Sequence, residues 1–147
     1  MAKRNYMIIA VDFDETLYHG ESKYPEAGEP NRPLIEALIK LKNDGNKIIL
    51  WTCRGNANEE HNDLTKAINW CKDQGLEFDY INQPDPSTVR DWNGFDSRKI
   101  YADIYIDDRS YNPLMIQNGD NAKQEWLSMI SSFVINRTEL NIPEYVW

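Results

Sequence analysis

Sulfur and imidazole are scarce in this chain of 147 residues, which has two cysteines, Cys53 and Cys71, and two histidines, His19 and His61. Two thiols cannot build a disulfide framework, and alone they cannot hold a structural zinc. Long hydrophobic runs are missing too: nothing approaches the roughly 18 consecutive apolar residues of a membrane span. The apolar run Tyr6 to Val11 leads straight into Asp12-Phe13-Asp14, where a signal peptide would need a small-residue cleavage site. These absences predict a soluble protein with no membrane partner, resident in the cytoplasm. Positive charge is short as well, with 16 basic against 24 acidic residues, a net charge of −8, and no basic run longer than Lys3-Arg4 or Arg98-Lys99. A duplex binder gathers a basic face to displace counterions, so passive nucleic-acid binding is disfavoured. An acidic enzyme can still reach an anionic ligand through a metal ion. Repeats and low-complexity tracts are absent.

What is present suits one folded unit. Hydrophobic residues make up 41% and aromatic residues 12% of the chain, enough apolar surface to offset the entropy of ordering. The length matches a single domain over residues 1–147. Strand and helix signals alternate. Tyr6–Val11 and Lys47–Trp51 are continuous apolar runs of the kind buried on both faces of a parallel sheet. Between them lie a Gly- and Pro-studded stretch, Tyr18 to Pro33, and a helix with Leu34, Leu38 and Leu41 in one stripe that stops at Gly45. A second helix aligns Leu64, Ala67, Ile68 and Cys71 and stops at Gly75, before a short strand from Phe78 to Ile81. Asn82 to Arg98 reads as a long loop, of a kind that is often functional. Ile100–Ile106 is a fourth strand, and a last helix starts near Asn121 with Ala122, Trp126, Ile130, Phe133 and Val134 as its apolar stripe. The expected fold is therefore α/β, a parallel sheet in a three-layer arrangement with helices on both faces.

In such folds ligands bind beyond the carboxyl ends of the strands. The first strand ends in Asp12-Phe13-Asp14-Glu15-Thr16, the second in Thr52-Cys53-Arg54-Gly55, and the fourth in Asp107-Asp108-Arg109, with Lys99 before it. Each feature alone has an ordinary explanation: Asp-Asp favours turns and caps, a lone Lys is usually solvated, and Thr52 is a common kind of strand-end hydroxyl. Together, at one sheet edge, they are a candidate site. Cys53 has no His partner in sequence and reads as packing, and both histidines default to the surface.

Val11-Asp12-Phe13-Asp14-Glu15-Thr16-Leu17, Trp51-Thr52, Lys99 and Ile106-Asp107-Asp108 resemble, in order, the four motifs of the haloacid dehalogenase superfamily of phosphatases. The motifs span residues 8 to 109, about two thirds of the chain. The resemblance implies a single Rossmann-like domain and a Mg²⁺-dependent phosphohydrolase. Asp12 would be the nucleophile, Asp14 the general acid and base, and Thr52 and Lys99 the groups on the phosphoryl oxygens. Mg²⁺ would be held by Asp12, the backbone carbonyl of Asp14, and Asp108 with Asp107 in support. The chemistry is coherent in its own right. A phosphate dianion repels an anionic nucleophile, and hard cations with oxygen ligands offset that repulsion. Asp14, two residues from Asp12, can protonate a leaving oxygen and later deprotonate water.

Two departures from the family pattern stand out. Lys99 lies only eight residues before Asp107, so Arg98, Arg90 or Arg54 are alternative phosphate-binding cations. The last motif offers two adjacent carboxylates, Asp107 and Asp108. Neither interval between motifs has room for a cap domain. The resemblance then implies an open site serving large phosphorylated substrates, polynucleotide ends among them, or an oligomer whose subunits cover one another. Tyr24, Arg90 and Trp92 lie in the loops that would flank a leaving group. The rival reading is a receiver-like phosphoacceptor module. By resemblance receivers place the acidic pair after the first strand and lack a counterpart of Asp14, whereas here the pair comes last.

Overall fold

A computed structural model describes residues 4–91, 94, 96–109 and 121–135. The sheet is built on β1 (Ile8–Val11), an Ile-Ile-Ala-Val run buried along its whole length. It pairs in parallel with β4 (Lys47–Leu50) on one side and β6 (Ile104–Ile106) on the other, and β4 pairs in parallel with β5 (Tyr80–Ile81). The order β5-β4-β1-β6 puts β1 where the chain reverses its direction of travel across the sheet. With the β-branched residues of a buried parallel strand on both faces, this is a Rossmann-like α/β domain, as the alternating signals predict.

Strand alternation sorts the two faces. Ile9, Val11, Ile48, Leu50, Ile104 and Ile106 join one core cluster with α1 (Arg32–Asn43), α2 (Asp63–Asp73) and α4 (Ala122–Ile135), which contribute Leu34, Leu38, Leu41, Ala67, Cys71, Trp126 and Ile130. Ile8, Ala10 and Ile49 face the other way, among Ile100, Ala102, Tyr6, Trp51, Tyr80, Tyr101 and Tyr105. On this second face the described helix is the short α3 (Pro86–Asp91), whose Ser87 meets the Tyr6 hydroxyl at 3.2 Å. Among the described residues the two layers of helix are thus unequal.

The boundaries follow or depart from the sequence reading for local reasons. Helix α1 keeps Pro33 in its first turn, as the sequence predicts, and is capped by Asn31, whose side chain accepts from the Leu34 N–H and donates to the Thr16 carbonyl at 3.1 Å. It ends where Gly45 takes φ 98°, a left-handed conformation that glycine adopts without a Cβ penalty. The stretch Tyr18 to Pro33 holds an antiparallel pair, β2 (Tyr18–His19) and β3 (Glu29–Pro30). A Cβ on Gly28 would collide with the His19 carbonyl, so this hairpin closes only over glycine. The loop from Asn82 contains α3, started by Asp85, whose carboxylate accepts from the Ser87 N–H at 2.9 Å. The fourth strand is shorter than Ile100–Ile106 because, although the Asp103 N–H still donates to the Ile8 carbonyl at 2.8 Å, the Ile8 N–H goes to the side chain of Asp103 and not to a backbone carbonyl. The buried Asp103 carboxylate takes the Ile8 N–H at 2.7 Å and both Nη atoms of Arg4 at 2.9 Å. Trp92 and the side chains of Phe133 and Val134 lie outside the described residues. Cys71 is buried in the core, but Cys53, expected to pack, is exposed beside the site.

Candidate active site

The parallel register brings three strand ends together. Asp12 follows β1, its N–H bound to the Ile106 carbonyl at 2.9 Å, so Asp12 and Asp107 leave neighbouring strands side by side. Carboxylate oxygens of Asp12, Asp107 and Asp108 all lie within 4.8 Å of one another. Such crowding has an electrostatic signature. Burial first, and then the charges of Asp107 and Asp108, push Asp12 up to about 7, against the pull of the Phe13 N–H that hydrogen-bonds it. Asp108 is raised as well, by burial and by Asp107. Three oxygen donors that repel one another when ionised are a fitting set for a hard divalent cation.

The turn after β1 is wound tightly. The Thr16 and Leu17 N–H groups both return to the Phe13 carbonyl, at 3.2 and 3.0 Å, and Glu15 sits at φ 57°. That left-handed residue carries strain, which in folded proteins gathers at functional sites. The turn aims the Thr16 hydroxyl at the Asp108 N–H, 3.2 Å away, and so ties the first acidic segment to the last. It also places Asp14 against Tyr18 and Arg54. The Tyr18 hydroxyl donates to Asp14 Oδ1 at 2.8 Å, and Arg54 donates from Nη2 to Oδ1 at 2.8 Å and from Nε to Oδ2 at 3.0 Å. Burial works to raise Asp14, but these donors outweigh it and hold the carboxyl below its usual value. Burial, and then the hydrogen bond to the Asp14 carboxylate and its charge, push Tyr18 up to about 12.

Two residues past the end of β4, Thr52 is held from two sides. Its N–H donates to Asn82 Oδ1 at 2.8 Å, and its Oγ1 accepts the Arg54 N–H at 3.1 Å, which leaves the hydroxyl proton to give to a ligand. Asn82 can reach across because it takes φ 51°, a second left-handed residue at the end of a strand.

Of the predicted site residues, Asp12, Asp107 and Asp108 converge directly, while Asp14, Thr52 and Arg54 form the adjoining wall. Lys99 does not join them by contact. Its ammonium lies 5.2 Å from the centroid of the Tyr105 ring, and it lines a cavity of about 410 Å³ with Tyr101, Tyr105, Thr88 and Val89. Among the described residues it makes no ion pair with the three carboxylates. Arg90 and Arg98 are exposed, and Arg109 lowers the proton affinity of Asp108 from the adjacent position. Tyr18, Thr16 and Asn82 were missed as site residues in the sequence. Thr16 sat inside the quoted motif, but a hydroxyl four residues from Asp14 and an Asn after a weak strand carry no local signal.

No family model and no curated protein matches the chain. A solved structure does: a conserved protein from Bacteroides thetaiotaomicron, 34% identical, aligns over 87% of this chain and 93% of its own with a TM-score of 0.61. The chain belongs to that protein's family.

Proposed function

We propose that this protein is a Mg²⁺-dependent phosphohydrolase that acts on phosphomonoesters through an aspartyl-phosphate on Asp12. The single observation that carries the reading is the convergence of Asp12, Asp107 and Asp108 within 4.8 Å at the carboxyl edge of a parallel sheet. The two neighbouring groups, Asp14 and Thr52, have the chemistry such a reaction needs.

The cation would sit among Asp12, Asp107 and Asp108, with the Asp14 carbonyl as a further oxygen. When bound, it supplies positive charge that offsets the repulsion between a phosphate dianion and an anionic nucleophile. A carboxylate oxygen of Asp12 attacks phosphorus, the ester oxygen departs, and Asp14 gives that oxygen a proton. Asp14 then takes a proton from the water that attacks the aspartyl-phosphate, releasing inorganic phosphate and restoring Asp12. Arg54 and Tyr18 keep Asp14 ionised in the ligand-free protein. An arriving dianion raises its proton affinity, because like charge disfavours the carboxylate. Thr52 donates its hydroxyl to a phosphoryl oxygen, while Lys99 stands against Tyr105 and would have to leave that ring to add its charge there. Among the described residues a two-stranded hairpin stands where a cap domain would be inserted, which suits large phosphorylated substrates in the cytoplasm.

The test is a panel of nucleotides, sugar phosphates, phosphopeptides and phosphorylated oligonucleotide ends, assayed with Mg²⁺ and with excess chelator. Turnover should require the metal. Asp12→Asn should abolish it while circular dichroism stays unchanged, since the nucleophile is lost without a change in packing volume. Wild-type rates from that variant, or full activity in chelator, would refute the mechanism.

A further inference from the structure

Arg54 is committed to the protein. Its side chain is 2% exposed, and besides the fork on Asp14 it donates from Nη1 to the Pro25 carbonyl at 2.9 Å and to the Asp63 carbonyl at 3.2 Å. The guanidinium lies between two rings, 4.6 Å from the centroid of Phe13 and 4.9 Å from that of Tyr24. Tyr24 is held there by its own hydroxyl, which donates to the Asp63 carboxylate at 2.6 Å. A guanidinium has five N–H donors; Nε, both on Nη1 and one on Nη2 are taken. The sequence reading gave this residue to substrate. An arginine that binds phosphate presents its fork to the open site, whereas this fork is turned onto Asp14.

The arrangement answers a mechanical need. The Asp14 side chain is 34% exposed and stands on a turn beside the left-handed Glu15, where a short carboxylate would otherwise rotate between staggered positions. An acid–base group works only within hydrogen-bond reach of the atom it serves, and small misplacements cost rate. A fork-to-carboxylate pair fixes the plane and direction of both oxygens, which a point charge cannot do. The same guanidinium carries the hairpin tip through Pro25 and the start of α2 through Asp63. Carboxylate, hairpin and helix are therefore held in one arrangement.

We infer that Arg54 is a positioning residue: it fixes the Asp14 carboxylate and the β2–β3 hairpin relative to each other and does not bind the phosphoryl group. This rests on the hydrolase reading above and predicts its dependence on the leaving group. An alkyl phosphate needs Asp14 in place to protonate a poor leaving oxygen, while an activated aryl phosphate does not.

The experiment compares wild type, Arg54→Ala, Arg54→Lys and Tyr18→Phe on an alkyl phosphate and on p-nitrophenyl phosphate with Mg²⁺, following the first burst of phenol and the steady state. A general acid–base group contributes on the order of 10²–10⁴ in rate, so partial misplacement in Arg54→Ala should lower kcat for the alkyl ester by about 10- to 100-fold. KM should stay within about twofold and the aryl burst should change little, as expected when only a transition-state interaction is lost. Guanidinium chloride, and not sodium chloride at equal strength, should restore part of the alkyl activity. Lysine should not, because it lacks the fork. Tyr18→Phe removes one hydrogen bond without changing volume and should shift the alkyl-to-aryl ratio the same way by less; it decides the matter if Arg54→Ala does not fold. A KM that rises tenfold at constant kcat makes Arg54 a phosphate ligand and overturns the inference. So do equal losses in alkyl turnover and in the aryl burst, with no response to guanidinium. Absence of wild-type turnover on every ester refutes the hydrolase reading itself, whereas normal wild-type turnover with an unshifted ratio in both variants refutes only the role of Arg54.

Discussion

Asp12 and Asp14 are the same side chain two residues apart, and their surroundings drive them in opposite directions. Burial and two nearby carboxylates raise Asp12, while Arg54 and Tyr18 lower Asp14 against its burial. Pairs pushed apart in this way divide acid–base work between identical groups. On the proposed mechanism, replacing Asp14 by Asn separates its two steps. The side chain is not expected on the metal, so Mg²⁺ binding should survive. Alkyl phosphate turnover should fall by about 10²–10⁴. An activated aryl phosphate should still transfer its phosphoryl group, then stall because water lacks its base. The variant should release one burst of phenol per site and carry a phosphate on Asp12, seen as a mass shift. Equal small losses on both substrates, with no burst and no trapped phosphate, would remove Asp14 from the mechanism. The same measurement separates a hydrolase from a receiver-like acceptor, which by resemblance has no counterpart of Asp14.

At the scale of elements, the sheet is fastened at both ends by side chains. The carboxyl end is tied by Thr16 to Asp108 and by Asn82 to Thr52. The amino end is tied by Asp103, whose carboxylate is fully buried and receives Arg4, the Ile8 N–H and the Tyr101 hydroxyl. Arg4 itself is 5% exposed in its side chain and stacks 5.1 Å from the Tyr101 ring. Removing one partner of a buried ion pair leaves the other charge uncompensated, at a cost of about 3–5 kcal/mol. Asp103→Ala should lose that much in urea unfolding, with an unchanged midpoint as the contrary result. It should leave the chemistry of whatever remains folded intact, since β1 carries the loss at the end opposite Asp12. Gly28→Ala acts on the hairpin instead, where the collision with the His19 carbonyl predicts displacement of β2 from β3.

Across the whole molecule, the acidic cluster links stability to pH and, on the proposed reading, to metal. In the metal-free protein Asp12 goes from 3.8 to about 7 on folding. Below about pH 4 it is protonated in both states. As pH rises from there, the unfolded chain releases this proton first, so the folded state loses stability until about pH 7 and then levels off. Asp14 contributes the opposite slope: its stabilisation is present above the usual carboxylate value and is lost as pH falls through its lowered one. Thermal melts of wild type and Asp12→Asn in chelator isolate the first effect. The melting temperature of wild type relative to the variant should fall between pH 4 and 7. Mg²⁺ should raise the wild-type value more at pH 7 than at pH 4, because it binds the folded carboxylates and competes with protons. A difference that stays flat across this range contradicts the raised Asp12.

The residues themselves determined the α/β pattern, the continuous apolar runs of β1 and β4, the stripes of α1 and α2, and the edge at which the acidic segments end. The reason is geometric: a parallel sheet sends every strand's carboxyl end to one edge, so local runs suffice to bring Asp12 and Asp107 together. Only the tertiary structure decided the rest. Asp14 and Arg54 are forty residues apart, and no local period says that this guanidinium turns onto that carboxylate instead of outward to a ligand. Lys99 against Tyr105, the exposure of Cys53 and the burial of Asp103 depend in the same way on which distant surfaces meet. Those meetings are settled by competition for burial and for hydrogen-bond partners across the folded chain, and a run of neighbouring residues carries no record of it.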